Sequence, residues 1–262
     1  MSIDPATTHA LAETLFRAVS EAKAVVKITD AHPELTWDDA YAIQDRLRAL
    51  HEGAGRHLVG LKMGLTSRAK MEQMGVQDPI CGFLTDDAVV GDGETIDTSC
   101  LIHPKVEAEV AFVTKETLRG PGCHVGDVLR ATDFVVPALE IIDSRYENFR
   151  FDLPSVIADN TSASRFVTGG RPVSPRDVDL KTVGVVVSRN GEVVETGAGA
   201  AVLGDPALSV ATLANMLGKR GREIPAGTLI LTGGIMRAIL VEPGDTITAS
   251  YQHLGQLSVS FK

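Results

Sequence analysis

The hydrophobic period shifts from mainly helical to mainly strand-like along this chain, and the shift restricts the fold to a helical start and a β-rich body. From about Thr8 to Val26, Leu11, Leu15 and Val19 recur at spacings of four in a stretch without Gly or Pro, the pattern of an amphipathic helix. Thr36-Trp-Asp-Asp39 reads as a capping box with Asp in place of Glu, and Ala40, Ile43, Leu47 and Leu50 continue it as a second helix that Gly53 and Gly55 end. Leu58 to Met63 is a short apolar run punctuated by Gly60 and Gly64, and Ser67 to Met74 predicts a short helix. Strand-like segments follow at Val106–Val113, Phe134–Ile142, Val183–Val187, Glu192–Thr196, Thr228–Leu231 and Thr246–Tyr251. Asn190-Gly191 between two Val-rich runs predicts a hairpin, and one helix interrupts the series from about Pro206 to Leu217. The expectation is an α+β protein with a mainly helical region over 1–78 and a β-rich catalytic domain over 79–262, the boundary resting on Gly75 and Pro79.

Within that body, Glu107 and Glu109 stand one residue apart in Val106-Glu-Ala-Glu-Val-Ala-Phe-Val113. A strand puts them on one face, with Val106, Ala108 and Val110 on the other. Like charges so placed either face water or share a cation such as Mg2+. An isolated Glu-x-Glu is most often a solvated face. Glu140 lies inside the apolar segment Val136–Ile142, where a carboxylate needs a partner. That partner is either a nearby Arg or Lys, or a metal held with Glu107 and Glu109; three oxygen donors suit Mg2+ or Mn2+. His103 points to a softer metal, but the other candidates are all oxygen ligands.

Lys62 sits in the Gly-flanked apolar stretch Gly60-Leu-Lys-Met-Gly64. It is either a desolvated ammonium able to hold a carboxylate and exchange a proton, or a snorkelling surface residue. Asp159-Asn-Thr-Ser-Ala-Ser164 has the composition of an ordinary turn. Thr232-Gly-Gly234 is a turn where backbone can approach a ligand closely, without a Walker or Rossmann spacing.

A net charge of −9 argues against sequence-independent nucleic-acid binding. Three cysteines, Cys81, Cys100 and Cys123, without metal-type spacing fit a reducing compartment. Neither a signal peptide nor an apolar run of about 20 residues is apparent. The expected location is cytoplasmic, away from membranes.

Together, Gly60-Leu-Lys-Met-Gly-Leu-Thr-Ser-Arg-Ala-Lys-Met-Glu-Gln-Met-Gly-Val76, the Glu107-x-Glu109 strand, Pro137-Ala-Leu-Glu-Ile141, Asp159-Asn-Thr-Ser-Ala163 and Leu229-Ile-Leu-Thr-Gly233 resemble the 2-oxopent-4-enoate hydratase and 4-oxalocrotonate decarboxylase family of the fumarylacetoacetate hydrolase superfamily. The likeness runs from about residue 30 to the C-terminus. It implies the superfamily's mixed β-sandwich roll and Mg2+, with Mn2+ able to substitute, on Glu107, Glu109 and Glu140. It implies Lys62 as the active-site lysine and Ser162 near the substrate carboxylate. Arg68, Ile80 and Thr232 are further expected substrate contacts, Arg68 toward a distal carboxylate.

Hydratases of the family resemble Gly-Val-Asp-Gln-Pro followed by an aspartate, whereas this chain reads Gly75-Val-Gln-Asp-Pro-Ile80. Ile80 cannot act as a base, and Asp78 is displaced by two positions. The resemblance therefore favours decarboxylation of a small 2-oxo dicarboxylate, 2-oxohex-3-enedioate, over hydration of 2-hydroxypentadienoate. Other readings are a hydrolase or tautomerase of acylpyruvates and a non-catalytic partner subunit of the hydratase. The resemblance also raises a complex with the homologous hydratase and a homo-oligomer.

Overall fold

The computed structural model describes residues 3–67, 71–72 and 78–262. Arg68 and most of the expected helix over 67–74 lie outside them.

Helix α1 (Pro5–Ser20) starts earlier than its hydrophobic stripe, because the Asp4 carboxylate accepts from the Ala6 and Thr7 N–H groups at 2.8 and 3.0 Å. It also stops earlier, since Ala22 turns left-handed at φ 47° and the Lys23 N–H returns to the Ala18 carbonyl at 3.0 Å. After the short α2 (Ile28–Ala31), α3 (Trp37–Gly53) opens on the expected capping box. The Asp39 N–H donates to Thr36 Oγ1, and the Thr36 N–H donates to Asp39 Oδ2. Ala12 and Leu15 of α1 and Ala40, Ile43 and Leu47 of α3 are buried in one core with the sheets.

Strand β1 (Leu58–Gly64) pairs antiparallel with β2 (Ile80–Thr85) and parallel with β10 (Leu229–Leu231). These join β3 (Val89–Val90), β5 (Lys105–Thr114), β6 (Thr132–Ile142), β7 (Ala163–Thr168) and β11 (Ile239–Leu240) in a sheet ordered β2-β1-β10-β5-β6-β7-β3, with β11 beside β5. A second sheet runs β4-β13-β12-β8-β9, from β4 (Thr95–Ile96), β13 (Gly255–Phe261), β12 (Thr246–Tyr251), β8 (Gly184–Arg189) and β9 (Glu192–Ala198). Asn190 and Gly191 link β8 to β9 with φ 53° and 85°, the left-handed pair that a tight hairpin needs.

The expected boundary at 78/79 falls between two hydrogen-bonded strands, β1 and β2. The helical part therefore passes into the sheet at Leu58. Gly60 permits this: a Cβ there would lie 2.6 Å from the Leu229 carbonyl oxygen, so only glycine lets β1 meet β10 so closely. Helices α4 (Val125–Ala131), α5 (Leu153–Ala158) and α6 (Pro206–Lys219) complete the fold. The stretch Gly199–Lys219 is long and apolar enough to cross a membrane, but half of it is buried here. Val210, Leu213 and Ala214 of α6 pack into the core.

Candidate metal centre and substrate cavity

Glu107 and Glu140 are direct cross-strand partners of β5 and β6, and Glu109 follows one step along the same face of β5. The opposite face, Val106, Ala108 and Val110, is wholly buried. A solvated acidic face is excluded, because Glu109 and Glu140 are 0 % exposed and Glu107 is 7 % exposed. One oxygen from each of the three carboxylates lies within 4.8 Å of the others.

This arrangement is costly for the chain alone. Burial, then the charges of Glu140 and Glu107, push the Glu109 carboxyl well above the usual carboxylate range, against the pull of Lys62. Burial also raises Glu140, with the Lys62 ammonium opposing it most. Lys62 Nζ sits 2.7 Å from Glu140 Oε1 and donates to the Thr161 carbonyl at 3.0 Å. Among the described residues, Lys62 is the ammonium buried beside the three carboxylates. Glu109 Oε1 and Glu140 Oε2 have no hydrogen-bond partner, and buried oxygens left so are suited to a divalent cation. The donor set therefore fits Mg2+ or Mn2+, both of which prefer oxygen ligands.

The supporting turns are built around these groups. The Gly233 N–H donates to Glu109 Oε2 at 2.6 Å, and a Cβ on Gly234 would lie 2.9 Å from the Glu107 carboxyl carbon. Thr232, expected to touch substrate, instead donates its hydroxyl to the Val110 carbonyl at 2.8 Å and is fully buried. It holds the turn against β5 and does not line the cavity. His103 is outside the carboxylate group; its ring packs 5.2 Å from that of Phe149.

Asp159–Ser162 is no ordinary turn. Asn160, Thr161 and Ser162 take φ of 48°, 55° and 58° in succession, a left-handed run that costs non-glycine residues energy and persists only when its surroundings enforce it. The Asn160 amide does so by pairing with both backbone groups of Phe83, at 2.8 and 2.9 Å. Arg145 does so through a buried ion pair to Asp159 and hydrogen bonds to the Asp143 and Ala163 carbonyls at 2.6 and 2.8 Å. Burial pushes the Asp159 carboxyl up to about 6, with Arg145 pulling it down. Arg145→Met leaves that carboxylate uncompensated, and urea denaturation should show a loss of about 3–5 kcal/mol. Arg145→Met with Asp159→Asn should lose clearly less. Equal losses would show that the pair's charge is immaterial.

The run delivers the Thr161 carbonyl to Lys62 and the buried, unpartnered Ser162 Oγ to a cavity of about 480 Å³. Lys62, Ile80, Lys105, Glu107, Phe149 and Ser162 are among its walls. Lys62, Ile80, Glu107 and Ser162 were legible as candidates, whereas Lys105, Phe149 and Arg150 were not. Lys105 had a signal: it continues the alternate-residue face of Glu107 and Glu109 as Lys-x-Glu-x-Glu.

Residues 49–262 match the model of the fumarylacetoacetate (FAA) hydrolase C-terminal family. The chain belongs to the fumarylacetoacetate hydrolase family. Within it, the chain is 59 % identical over 252 residues to a 4-oxalocrotonate decarboxylase of Pseudomonas putida, covering 96 % of each. It is 40 % identical to the 2-keto-4-pentenoate hydratase of Paraburkholderia xenovorans (strain LB400), over 98 % of this chain and 96 % of that protein. A solved family member, 4-oxalocrotonate decarboxylase from Pseudomonas putida G7 complexed with magnesium and adipate, superposes with a TM-score of 0.98 at 56 % identity, over 100 % of this chain and 99 % of that one.

Proposed function

We infer that the chain is a Mg2+-dependent carboxy-lyase that converts 2-oxohex-3-enedioate (4-oxalocrotonate) to 2-hydroxypenta-2,4-dienoate and CO2, in the meta-cleavage breakdown of aromatic compounds. The observation that carries this is a buried carboxylate triad whose Glu107, with Lys62, lines a cavity with an apolar wall at Ile80. Two features place decarboxylation ahead of hydration. Identity is higher to the decarboxylase than to the hydratase. Asp78, the acid nearest the position a hydratase would use, is exposed and does not line the cavity.

In the reaction the C5–C6 bond breaks and its electron pair becomes the C4=C5 bond. The C3=C4 pair becomes C2=C3, the C2 carbonyl pair moves onto oxygen, and that oxygen takes one proton. Mg2+, or Mn2+ in its place, held by Glu107, Glu109 and Glu140, supplies positive charge where negative charge develops on the substrate oxygen. Lys62 spends two of its three N–H donors on Glu140 and Thr161, leaving one for the C1 carboxylate or the C2 oxygen. Ser162 Oγ is a donor for the same end of the substrate. Ile80 gives the cavity an apolar wall that excludes water along the substrate chain.

The product is an unstable dienol, which favours a complex with the homologous hydratase that consumes it. A homo-oligomer and a cytoplasmic setting belong to the same reading. The intact triad counts against a non-catalytic subunit. In the deciding assay, purified protein releases CO2 from the substrate with Mg2+, stops with chelator and recovers with Mg2+ or Mn2+. Hydration of the dienol without CO2 release would reverse the assignment.

A further inference from the structure

We propose that Lys105, held over the ring of Phe149, is the counter-charge that selects a substrate carrying a second carboxylate. The inference rests on the proposed 2-oxo acid chemistry of the cavity. Lys105, Glu107 and Glu109 share one face of β5, and exposure rises along that row from Glu109 at 0 % through Glu107 at 7 % to a half-buried Lys105. Glu107 and Lys105 both line the cavity, which therefore opens from the Glu107 edge of the triad toward the lysine. Two residues of strand span about 6.6 Å, comparable to an extended six-carbon chain. A dicarboxylate with its 2-oxo acid end at the triad brings its far carboxylate to Lys105.

The side chain is also set for this task. Lys105 Nζ lies 3.7 Å from the centre of the Phe149 ring, a cation–π contact that holds the ammonium at the cavity wall. Phe149 lines the same cavity, and it and Asn148 both take φ 57°. The ring is held by packing against those of His103 and Phe151, with centroids 5.2 and 5.7 Å away. Arg150 stands beside them, exposed at the mouth, where solvent screens it more.

An ion pair to the far carboxylate is lost when that group leaves as CO2, so it contributes to ground-state binding and not to the chemical step. Lys105→Met should therefore raise KM without lowering kcat. The test uses two inert saturated probes, 2-oxohexanedioate and 2-oxohexanoate, which differ only in the far carboxylate. Binding to wild type, Lys105→Met and Arg150→Met is measured by calorimetry with saturating Mg2+.

Wild type should prefer the dioate, and Lys105→Met should weaken the dioate about 10- to 100-fold while changing the monoacid less than about twofold. Arg150→Met should cost the dioate less than Lys105→Met does. A dioate preference that survives in Lys105→Met, or a larger loss in Arg150→Met, overturns the assignment. A fall in kcat at constant KM overturns it too, because the lysine would then act in the chemistry. Wild type binding neither probe would instead overturn the 2-oxo acid reading itself.

Discussion

Glu109→Gln should reduce Mg2+-dependent CO2 release by about a thousandfold, the scale expected when charge stabilisation at the reacting oxygen is lost, and should leave the fold intact. The substitution keeps the shape of a fully buried side chain and retains an oxygen for the Gly233 N–H. It removes the carboxylate whose charge burial, Glu140 and Glu107 all oppose. Without metal, the variant should therefore unfold at the same temperature as wild type or higher, because like-charge repulsion in a dry site has been relieved. With Mg2+, wild type should gain stability by mass action and the variant should gain little. Thermal unfolding with and without Mg2+, alongside CO2 release, separates this from general damage. Wild-type turnover in the variant would remove Glu109 from the metal site.

What could be read along the chain and what could not divides by the range of the interaction. Glu107 and Glu109 were legible because strand periodicity is local, and the Thr36–Asp39 box because a cap is made within one turn. Glu140 opposite Glu107 depends on the register of β5 with β6, which no segment states by itself. β1 read only as an apolar run because its one polar side chain, Lys62, is buried while Leu58 is exposed and Val59 and Leu61 are half-buried, the reverse of the alternation that marks a strand. The Thr232-Gly-Gly234 turn signalled close approach correctly, and what approaches is the pair of glutamates, while the Thr232 hydroxyl bonds to the β5 backbone. Asn160–Ser162 has the composition of any turn. Its left-handed run is imposed by Phe83 and Arg145, residues distant in sequence.

Lys62→Met should separate metal binding from chemistry. The ammonium lies 2.7 Å from Glu140 Oε1, so it competes with a cation for that carboxylate. Replacing it by an apolar chain of similar length removes the ammonium that contacts Glu140, and Mg2+ should then bind as tightly as in wild type or more tightly. Turnover should nevertheless fall by about 10²–10⁴, the usual worth of a positioned proton donor, because in the proposed reaction the third Lys62 N–H donates to the C1 carboxylate or the C2 oxygen. A lysine that only braced Glu140 and Thr161 would behave differently, with metal affinity and turnover falling together as both partners relaxed. Mg2+ titration followed by calorimetry and kcat for CO2 release, measured on the same preparation, distinguish the two. Tight Mg2+ binding with lost turnover assigns Lys62 to the reaction, and weak Mg2+ binding with lost turnover reduces it to a support of the metal site.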